Sequence, residues 1–410
     1  MSGRASGQSV SGLRSRRTFL SFCAATLPLG LAGCWWPGRG PTVPQGQTHR
    51  ATVLGVDRER FFPSFSIEPL EEEFIAALQR QVVARGVKSM TELPELQLLA
   101  VSGGGENGAF GAGLLCGWSA AGARPTFDLV TGVSTGALSA PFAFLGRDYD
   151  RQLRDIYAET PSSQIVEKRS LIDVLFDDGL TDNAPLRATI ARYVDTSMLA
   201  AIAKAYDAGR LLLIATTDLD AQVPVIWNVG AIAKSGHPRA VDTVRSILLA
   251  SAALPGIFPP TMFDVTVDGK PYQEMHVDGG TFTQTFLYPA RLTRDKAGNP
   301  RASLPSFRGR AFLILNRRLN AQWTTVERRA YGIAIRAIST MVSAADYNDA
   351  IRIYHITQRD GIDYNLAYIG REFTEAAPPG FDARYMRTLF DYAYGKASRG
   401  YDWLKEPSIL

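Results

Sequence analysis

The sequence predicts an α/β protein whose mostly parallel central sheet is covered by helices on both faces. Short, largely apolar runs alternate along the chain with stretches of helical character. Parallel strands that are buried on both faces read as nearly continuous apolar segments, because neither side of the sheet meets water. Four runs of this kind are predicted strands: Leu96–Ser102, Leu129–Val133, Leu211–Thr216 and Phe312–Leu315, the last within the longer candidate Gly309–Leu319.

Four helices are predicted around these strands. The first starts with acidic residues and ends at a glycine, the second stops before Pro255, and the third places apolar residues at helical spacing. We expect the third helix to face the core. In chain order the four are Glu68–Gly86, Val241–Ala253, Val326–Ala345 and Asp382–Lys396.

The N-terminus resembles the export signal of a lipoprotein. SRRTFL at Ser15–Leu20 is similar to a twin-arginine signal, and the apolar run Phe19–Gly33 is shorter than the roughly 20 residues that span a bilayer. The run ends in LAGC, which resembles the lipobox of bacterial lipoproteins and predicts lipidation of Cys34; an ordinary secretory signal with an incidental cysteine is the alternative. Residues 1–33 are thus a predicted signal peptide, and residues 34–60, rich in Pro and Gly, a predicted tether.

These assignments define the expected location and organisation. The protein is expected in the bacterial cell envelope, attached to a membrane through Cys34. Residues 61–410 are predicted to form one domain, with its chemical motifs within 96–290 and residues 291–410 completing it.

Four of the 44 basic residues lie in the first 33 residues, which leaves 40 basic against 40 acidic side chains. A neutral mature chain gives no reason to expect nucleic-acid binding, and the sequence indicates no protein partner.

The run at Gly103–Gly108, GGGENG, admits two interpretations. Its glycines fit G-x-G-x-x-G, the dinucleotide-binding fingerprint of an oxidoreductase, but the N–H groups of such a loop also suit an oxyanion hole. A dinucleotide site needs an acidic residue at the carboxyl end of the next strand. Asp128 precedes that strand, so the oxyanion hole is favoured.

Two further motifs supply candidate reacting groups. GVSTG at Gly132–Gly136 follows an apolar strand and precedes a helix candidate of small residues, the setting of a nucleophile elbow with Ser134 at its apex. Asp278 ends a short apolar run and is followed by Gly279 and Gly280, although Asp-Gly-Gly alone is more typical of a turn.

Together, the three motifs and their order resemble the patatin-like phospholipases. The resemblance covers residues 96–287 well and the remainder loosely. Further likenesses are FDDGLTDNAPLR at Phe176–Arg187, SAALPGIFPP at Ser251–Pro260 and FDARYMRTLF at Phe381–Phe390. The resemblance implies a three-layer α/β/α fold and a lipid acyl-ester substrate.

The same resemblance implies roles for individual residues. Ser134 matches the family's nucleophile and Asp278 its base, and backbone N–H groups of Gly103, Gly104 and Gly105 match its oxyanion hole. Many members carry Arg or Lys at the position of Asn107, so the sequence gives no source of positive charge there.

Two alternatives remain open from the sequence. A Ser–His–Asp esterase would use His276, which strand alternation puts on the face of Asp278, though we expect it deeper along the strand and out of reach of Ser134. With an Asp base, we expect activity to persist below the ~6.5 at which a free imidazole protonates. The other alternative is a lipid-binding surface lipoprotein without catalysis. No metal or cofactor site is predicted.

Overall fold

A nine-stranded, mostly parallel sheet confirms the predicted α/β architecture. The computed structural model describes residues 38–159, 167–168, 181–295, 297–301, 308–376 and 381–407. In chain order the strands are β1 Arg60–Phe61, β2 Leu96–Val101, β3 Leu129–Val133, β4 Glu167–Lys168, β5 Thr181–Asp182, β6 Leu211–Asp218, β7 Val223–Asn228, β8 Thr261–Val267, β9 Lys270–Asp278, β10 Gly309–Leu315 and β11 Ile362–Tyr368.

The strand order places the predicted strands at the centre of the sheet. It runs β1-β7-β6-β3-β2-β10-β11, with the hairpin β8–β9 attached to β6 and with β4–β5 as a separate pair. Strands β6, β3, β2, β10 and β11 are parallel, whereas β1, β7 and β9 pair antiparallel with their neighbours. The carboxyl ends of β2, β3 and β10 therefore meet at one edge.

Helices cover the sheet on both faces. On β2, Leu99 and Val101 belong to one hydrophobic cluster, whereas Leu98 and Ala100 belong to a second. Both faces of this strand are thus buried, as its unbroken apolar sequence predicts. The longer helices are α1 Glu68–Arg85, α2 Gly108–Ala120, α3 Thr135–Leu145, α4 Asp150–Arg154, α5 Ala184–Tyr193, α6 Thr196–Asp207, α7 Val229–Lys234, α8 Ala240–Ser251, α9 Ala330–Asp360 and α10 Ala383–Ala397.

Three of the four predicted helices lie close to their expected positions, and the third differs. Helix α9 begins at Ala330 rather than Val326 and continues to Asp360. Its first half does not face the core: Ile333, Ala337 and Met341 are exposed. The apolar spacing was correctly read as helical, but periodicity does not say which surface covers the apolar face. None of the described helices is both long and apolar enough to cross a membrane.

Part of the predicted tether contacts the rest of the domain. Pro37–Leu410 is one compact unit, so the predicted domain boundary at residue 61 falls inside it. Arg39 pairs with Asp220, and Thr42 and Thr52 form bridges to the β8–β9 hairpin. Backbone hydrogen bonds thus fix a segment whose Pro and Gly content indicated flexibility. The predicted signal peptide and Cys34 lie outside the described residues, as do positions 176–180 of the FDDGLTDNAPLR likeness.

Candidate active site

Ser134 occupies a sharp turn between β3 and α3. Its backbone has φ 56° and ψ −129°, a left-handed conformation that costs a non-glycine residue about 1–3 kcal/mol. A Cβ on Gly132 would lie 2.7 Å from the Gly136 carbonyl oxygen, and one on Gly136 would lie 2.6 Å from the Ser102 carbonyl oxygen. The close backbone approach explains why the motif needs glycine on both sides of the serine, as in a nucleophile elbow.

Ser251 stabilises this turn from the end of α8. Its buried hydroxyl accepts a hydrogen bond from the Ser134 amide at 3.0 Å and donates one to the Ala215 carbonyl at 2.7 Å. Sequence reasoning did not assign a role to Ser251. The sequence did contain a clue to this role, because Ser251 is the first residue of the SAALPGIFPP segment, which carries part of the family resemblance.

Asp278 reaches Ser134 along one edge of β6. Strand β3 pairs with this edge up to Val133, which lies opposite Ala215. At the next residue of β6, Thr216, the pairing partner is Asp278 of β9. The other edge is taken by β7. Strand β9 therefore takes up the position that β3 leaves when the chain turns at Ser134.

The Ser134 hydroxyl lies beside the Asp278 carboxylate, close enough to act to lower the pKa of that carboxyl. The Gly280 amide donates to Asp278 Oδ1, at 2.7 Å. Burial raises the pKa of Asp278 to about 6, although the Ser134 hydroxyl, the hydrogen bond from Gly280 and the charge of Arg317 oppose the shift. Asp278 is thus buried beside a partly exposed serine, and its pKa lies close enough to neutrality for it to accept and return a proton.

The three loop glycines differ in what their amides do. The Gly103 amide donates to the Gln284 carbonyl at 3.2 Å, so this N–H is already occupied. Among the described residues, the amides of Gly104 and Gly105 have no hydrogen-bond partner. A Cβ on Gly103 would lie 3.1 Å from Ser134 Cβ, which shows how closely the loop passes the serine. Of the three predicted oxyanion-hole amides, two are free to bind an oxyanion.

Asn316, directly after β10, holds the glycine loop in place. Its Nδ2 donates to the Ser102 carbonyl and its Oδ1 accepts from the Gly111 amide, each at 2.9 Å. A Cβ on Gly104 would lie 2.6 Å from Asn316 Cβ, so the loop packs directly on this residue. The sequence shows only a polar residue at the end of an apolar run, which did not distinguish Asn316.

Positive charge at the site comes from Arg317. It follows Asn316, forms an ion pair with the buried Asp346 of α9, and its charge acts to lower the pKa of Asp278. Asn107, at the position where many patatin-like phospholipases carry Arg or Lys, accepts a hydrogen bond from the Tyr385 hydroxyl at 2.7 Å. The positive charge near Asp278 therefore comes from Arg317 after β10 and not from the glycine loop that contains Asn107.

His276 is not oriented towards Ser134. Its Nδ1 lies 2.8 Å from Thr216 Oγ1 and its Nε2 lies 3.1 Å from Glu274 Oε2, so both ring nitrogens are engaged. Because β9 is antiparallel to β6, His276 pairs with Asp218, on the far side of Asp278 from Ser134. Our expectation that His276 lies deeper in the sheet was therefore wrong in direction, since it assumed a parallel strand.

The ligand atoms of Asp218, Glu274 and His276 lie within 4.8 Å of one another, close enough to suggest a metal site. The buried guanidinium of Arg60 occupies the cluster, with Nη1 2.6 Å from Glu274 Oε2. Burial opposes ionisation of Glu274, but Arg60 and His276 outweigh it and hold the pKa of Glu274 at about 2. A buried cation at the shared carboxylate fits an internal ion pair better than a metal site.

Asp128 lies at the amino end of β3, away from the glycine loop. Its carboxylate accepts a hydrogen bond from the Gln97 amide at 2.8 Å and lies 3.4 Å from Arg85. It is buried at the opposite edge of the sheet from Ser134. The geometry therefore does not support the dinucleotide interpretation.

A sequence model of the family described as patatin-like phospholipase matches residues 99–291, which include the glycine loop, Ser134 and Asp278. The chain carries a patatin-like phospholipase domain. Among solved structures, VipD from Legionella pneumophila is similar at 11% identity, covering 75% of this chain and 67% of that chain with a TM-score of 0.31. A likeness at that TM-score supports no argument about fold or function. No curated protein matches the chain.

The patatin-like domain supports a general activity, the hydrolysis of lipid acyl esters. The match ends at residue 291 and so does not include Asn316, Arg317 or helix α9. Asn316 nevertheless contacts the glycine loop, and Asp349 of α9 contacts the segment after Asp278. The C-terminal part of the chain thus completes the site that the patatin-like domain contains.

Proposed function

We propose that this protein is a serine lipid acyl hydrolase that works through a Ser134–Asp278 dyad and an acyl-enzyme. The observation that carries the proposal is the placement of the two side chains side by side, where β3 ends at Val133 and β9 ends at Asp278 along the same edge of β6. Ser134 Oγ attacks the acyl carbonyl carbon as its proton passes to Asp278. The carbon–oxygen bond to the alcohol then breaks, and Asp278 returns the proton to the leaving oxygen.

Deacylation repeats these steps with water. Asp278 accepts a proton from a water molecule as the water oxygen attacks the acyl carbon, and the fatty acid leaves when the proton returns to Ser134. Each carbonyl addition puts negative charge on the former carbonyl oxygen. The free amides of Gly104 and Gly105 are suited to bind that charge, and a lost oxyanion donor typically costs about 100-fold to 1000-fold in rate.

The pKa of Asp278 supports its role as the base. A pKa of about 6 leaves the carboxylate ionised at neutral pH, yet more basic than an exposed aspartate. No imidazole is required. The neighbouring His276 is committed to Thr216 and Glu274.

The test is a Ser134→Ala variant, compared with wild type on mixed phospholipid and neutral-ester vesicles. We expect at least about a 1000-fold loss of fatty-acid release with an unchanged circular dichroism spectrum, because the nucleophile of a hydrolytic dyad is removed. A fluorophosphonate probe should label wild type at Ser134, and Ser197→Ala, which removes an exposed serine on α6, serves as the matched control. A wild-type protein that neither releases fatty acid nor reacts with the probe would favour the non-catalytic lipoprotein instead.

We also propose that Cys34 carries a lipid that attaches the protein to a membrane of the cell envelope. The LAGC sequence after a short apolar run supports this proposal. Two or more acyl chains would hold the protein stably, whereas one chain binds only marginally. Cys34→Ser should leave an unprocessed precursor, visible by mass spectrometry, and recovery of unlipidated wild type from the soluble periplasm would contradict the proposal.

A further inference from the structure

The first half of α9 exposes an apolar surface. Ile333, Ile338 and Met341 are 51%, 49% and 70% exposed, and Trp323, in the segment leading to the helix, is 90% exposed. Large apolar side chains exposed together, rather than singly, indicate an interaction surface. We call these four residues the docking face.

The residues around the docking face are segregated as in an amphipathic helix. At about 100° per residue, Ile333, Met341 and Ile338 fall within about 140° of the helix circumference. The polar side chains lie in the remaining arc: Arg336, Ser339, Thr340 and Ser343. An amphipathic helix with an unburied apolar face, and with arginine on its polar face and just before its start, is typical of segments that lie in a membrane interface.

The docking face is joined directly to the candidate active site. Asp346, where α9 enters the protein, pairs with Arg317 beside the glycine loop. One turn later, the Asp349 carboxylate accepts hydrogen bonds from the Thr283 hydroxyl at 2.9 Å and the Gln284 amide at 2.8 Å, in the segment that follows Asp278. Phe282 in that segment is 54% exposed. The exposed half of α9 therefore extends about 24 Å from the rim of the site.

The charge of the segment is complementary to an anionic surface. Residues 318–345 contain four arginines and one glutamate, a net charge of +3, and Arg317 just before them is paired with Asp346. The predicted mature chain as a whole has equal numbers of basic and acidic residues, so this positive charge is local. Each basic side chain near an anionic membrane contributes about 1 kcal/mol of binding. The same charge repels an identical face, which disfavours a symmetric pair of copies.

From these observations we propose that the docking face and its arginines insert into the surface of an anionic phospholipid membrane and bring Ser134 to its lipid substrate. The inference rests on the proposed hydrolase function and adds the physical form of the substrate. An ester held in a bilayer enters the site past the segment that follows Asp278, which α9 contacts. A dissolved ester does not need the docking face.

The experiment measures flotation of the compact unit Pro37–Leu410 with vesicles of phosphatidylglycerol and phosphatidylcholine, or of phosphatidylcholine alone. Every sample lacks the predicted signal peptide and Cys34 and carries Ser134→Ala, so that neither the apolar signal segment, an acyl anchor nor turnover contributes. The triple variant Trp323→Ser, Ile338→Ser, Met341→Ser should bind anionic vesicles at least about 30-fold more weakly, because three apolar side chains no longer enter the membrane. Val83→Ser, which alters an exposed apolar residue on α1, is the control and should change nothing.

The arginines provide a second readout. Arg328→Gln with Arg329→Gln should weaken binding to anionic vesicles by about tenfold or more and reduce the preference over phosphatidylcholine by the same factor. Unchanged flotation of the triple variant would overturn the proposal. A second outcome would also overturn it: sedimentation shows that the protein is a dimer, the triple variant is a monomer, and neither binds vesicles. A second copy of the chain would then cover the docking face.

Hydrolysis is measured separately with Ser134 intact. The triple variant should hydrolyse a dissolved short-chain ester like wild type but hydrolyse anionic vesicles at least about tenfold more slowly. Equal losses on both substrates would overturn the docking role. If wild type hydrolyses neither substrate, the proposed function fails, whereas the flotation result still decides whether the docking face binds membranes.

Discussion

Ser134 and Asp278 meet end to end along a single edge of β6, where β3 stops pairing at Val133 and β9 begins pairing at Asp278. The register of one strand therefore sets the separation of the candidate nucleophile and base. Gly279, next in the chain, shows how tightly this junction is packed, because a Cβ there would lie 3.1 Å from Val133 Cγ1.

Replacing Asp278 with Asn should inactivate the enzyme. The amide cannot accept the Ser134 proton, so we expect at least about a 1000-fold loss in kcat/KM for a dissolved ester. Asp264→Asn changes an exposed carboxylate on the same hairpin and is the control that should remain active. Activity above one per cent in the Asp278 variant would assign the base to another residue.

The same Asp278→Asn variant should be more stable than wild type at pH 8. The pKa of Asp278 rises from an ordinary 3.8 to about 6 on folding, so ionising it destabilises the folded state by up to about 3 kcal/mol above pH 6. Wild type regains that stability as pH falls through 6 towards 4, because the folded state binds the proton more tightly. Urea denaturation at pH 8 and pH 4.5 should show the advantage of the variant shrinking, and a constant difference would contradict the shifted pKa.

The acid limb of kcat/KM should have its midpoint near pH 6. Below that pH the rate should fall about tenfold per unit, because Asp278 becomes protonated. This revises the expectation that activity persists below ~6.5, since a buried aspartate and a free imidazole titrate in nearly the same range. A pH profile of kcat/KM for His276→Ala distinguishes the two candidate bases. An acid limb with its midpoint still near pH 6 supports Asp278, and disappearance of that acid limb supports the His276 imidazole.

His276→Ala should lower stability but preserve chemistry. The buried imidazole contacts Thr216 and Glu274, and its removal leaves a cavity and two polar groups without this partner, at a cost of about 2–4 kcal/mol. Turnover per fluorophosphonate-labelled site should remain within about threefold of wild type. His237→Ala, in a surface loop, is the control. A folded His276 variant that reacts with the probe but does not turn over would restore the triad.

Alanine at Gly104 and at Gly105 should have different effects. A Cβ at Gly104 would overlap Asn316 and displace the loop, so we expect at least about a 100-fold loss in kcat. Gly105 has φ 59° and open space around its Cα, so alanine there costs about 1 kcal/mol in stability but keeps the amide in place. Steady-state kinetics and thermal melts of the two variants provide the comparison. Equal kcat losses would indicate that the position of the Gly104 amide does not matter.

Much of the site could be predicted because it lies next to buried parallel strands. The strands around Gly103 and Ser134 are continuous apolar runs, and glycine is required where backbones approach closely, so both features are visible in the sequence. The antiparallel direction of β9 was not visible. It depends on the β8–β9 hairpin and on the free edge of β6, which are tertiary features.

Asn316 and Arg317 could not be assigned for a similar reason. Each acts on residues that are distant in sequence, and neither belongs to a motif with a known chemical role. Helix α9 illustrates the same limit, because an apolar stripe indicates a helix but not whether protein or another apolar phase covers it.

The segment from Arg39 to Arg60 connects the N-terminal part of the chain to the hairpin that carries Asp278. Arg39, Thr42 and Thr52 hold its outer part against the hairpin, and the buried Arg60–Glu274 pair closes its inner end. Tension applied at the N-terminus would therefore be transmitted to β9 before it reached the elbow at Ser134. If Cys34 anchors the protein as proposed, mechanical load from the membrane would act first on the strand that carries the candidate base, Asp278.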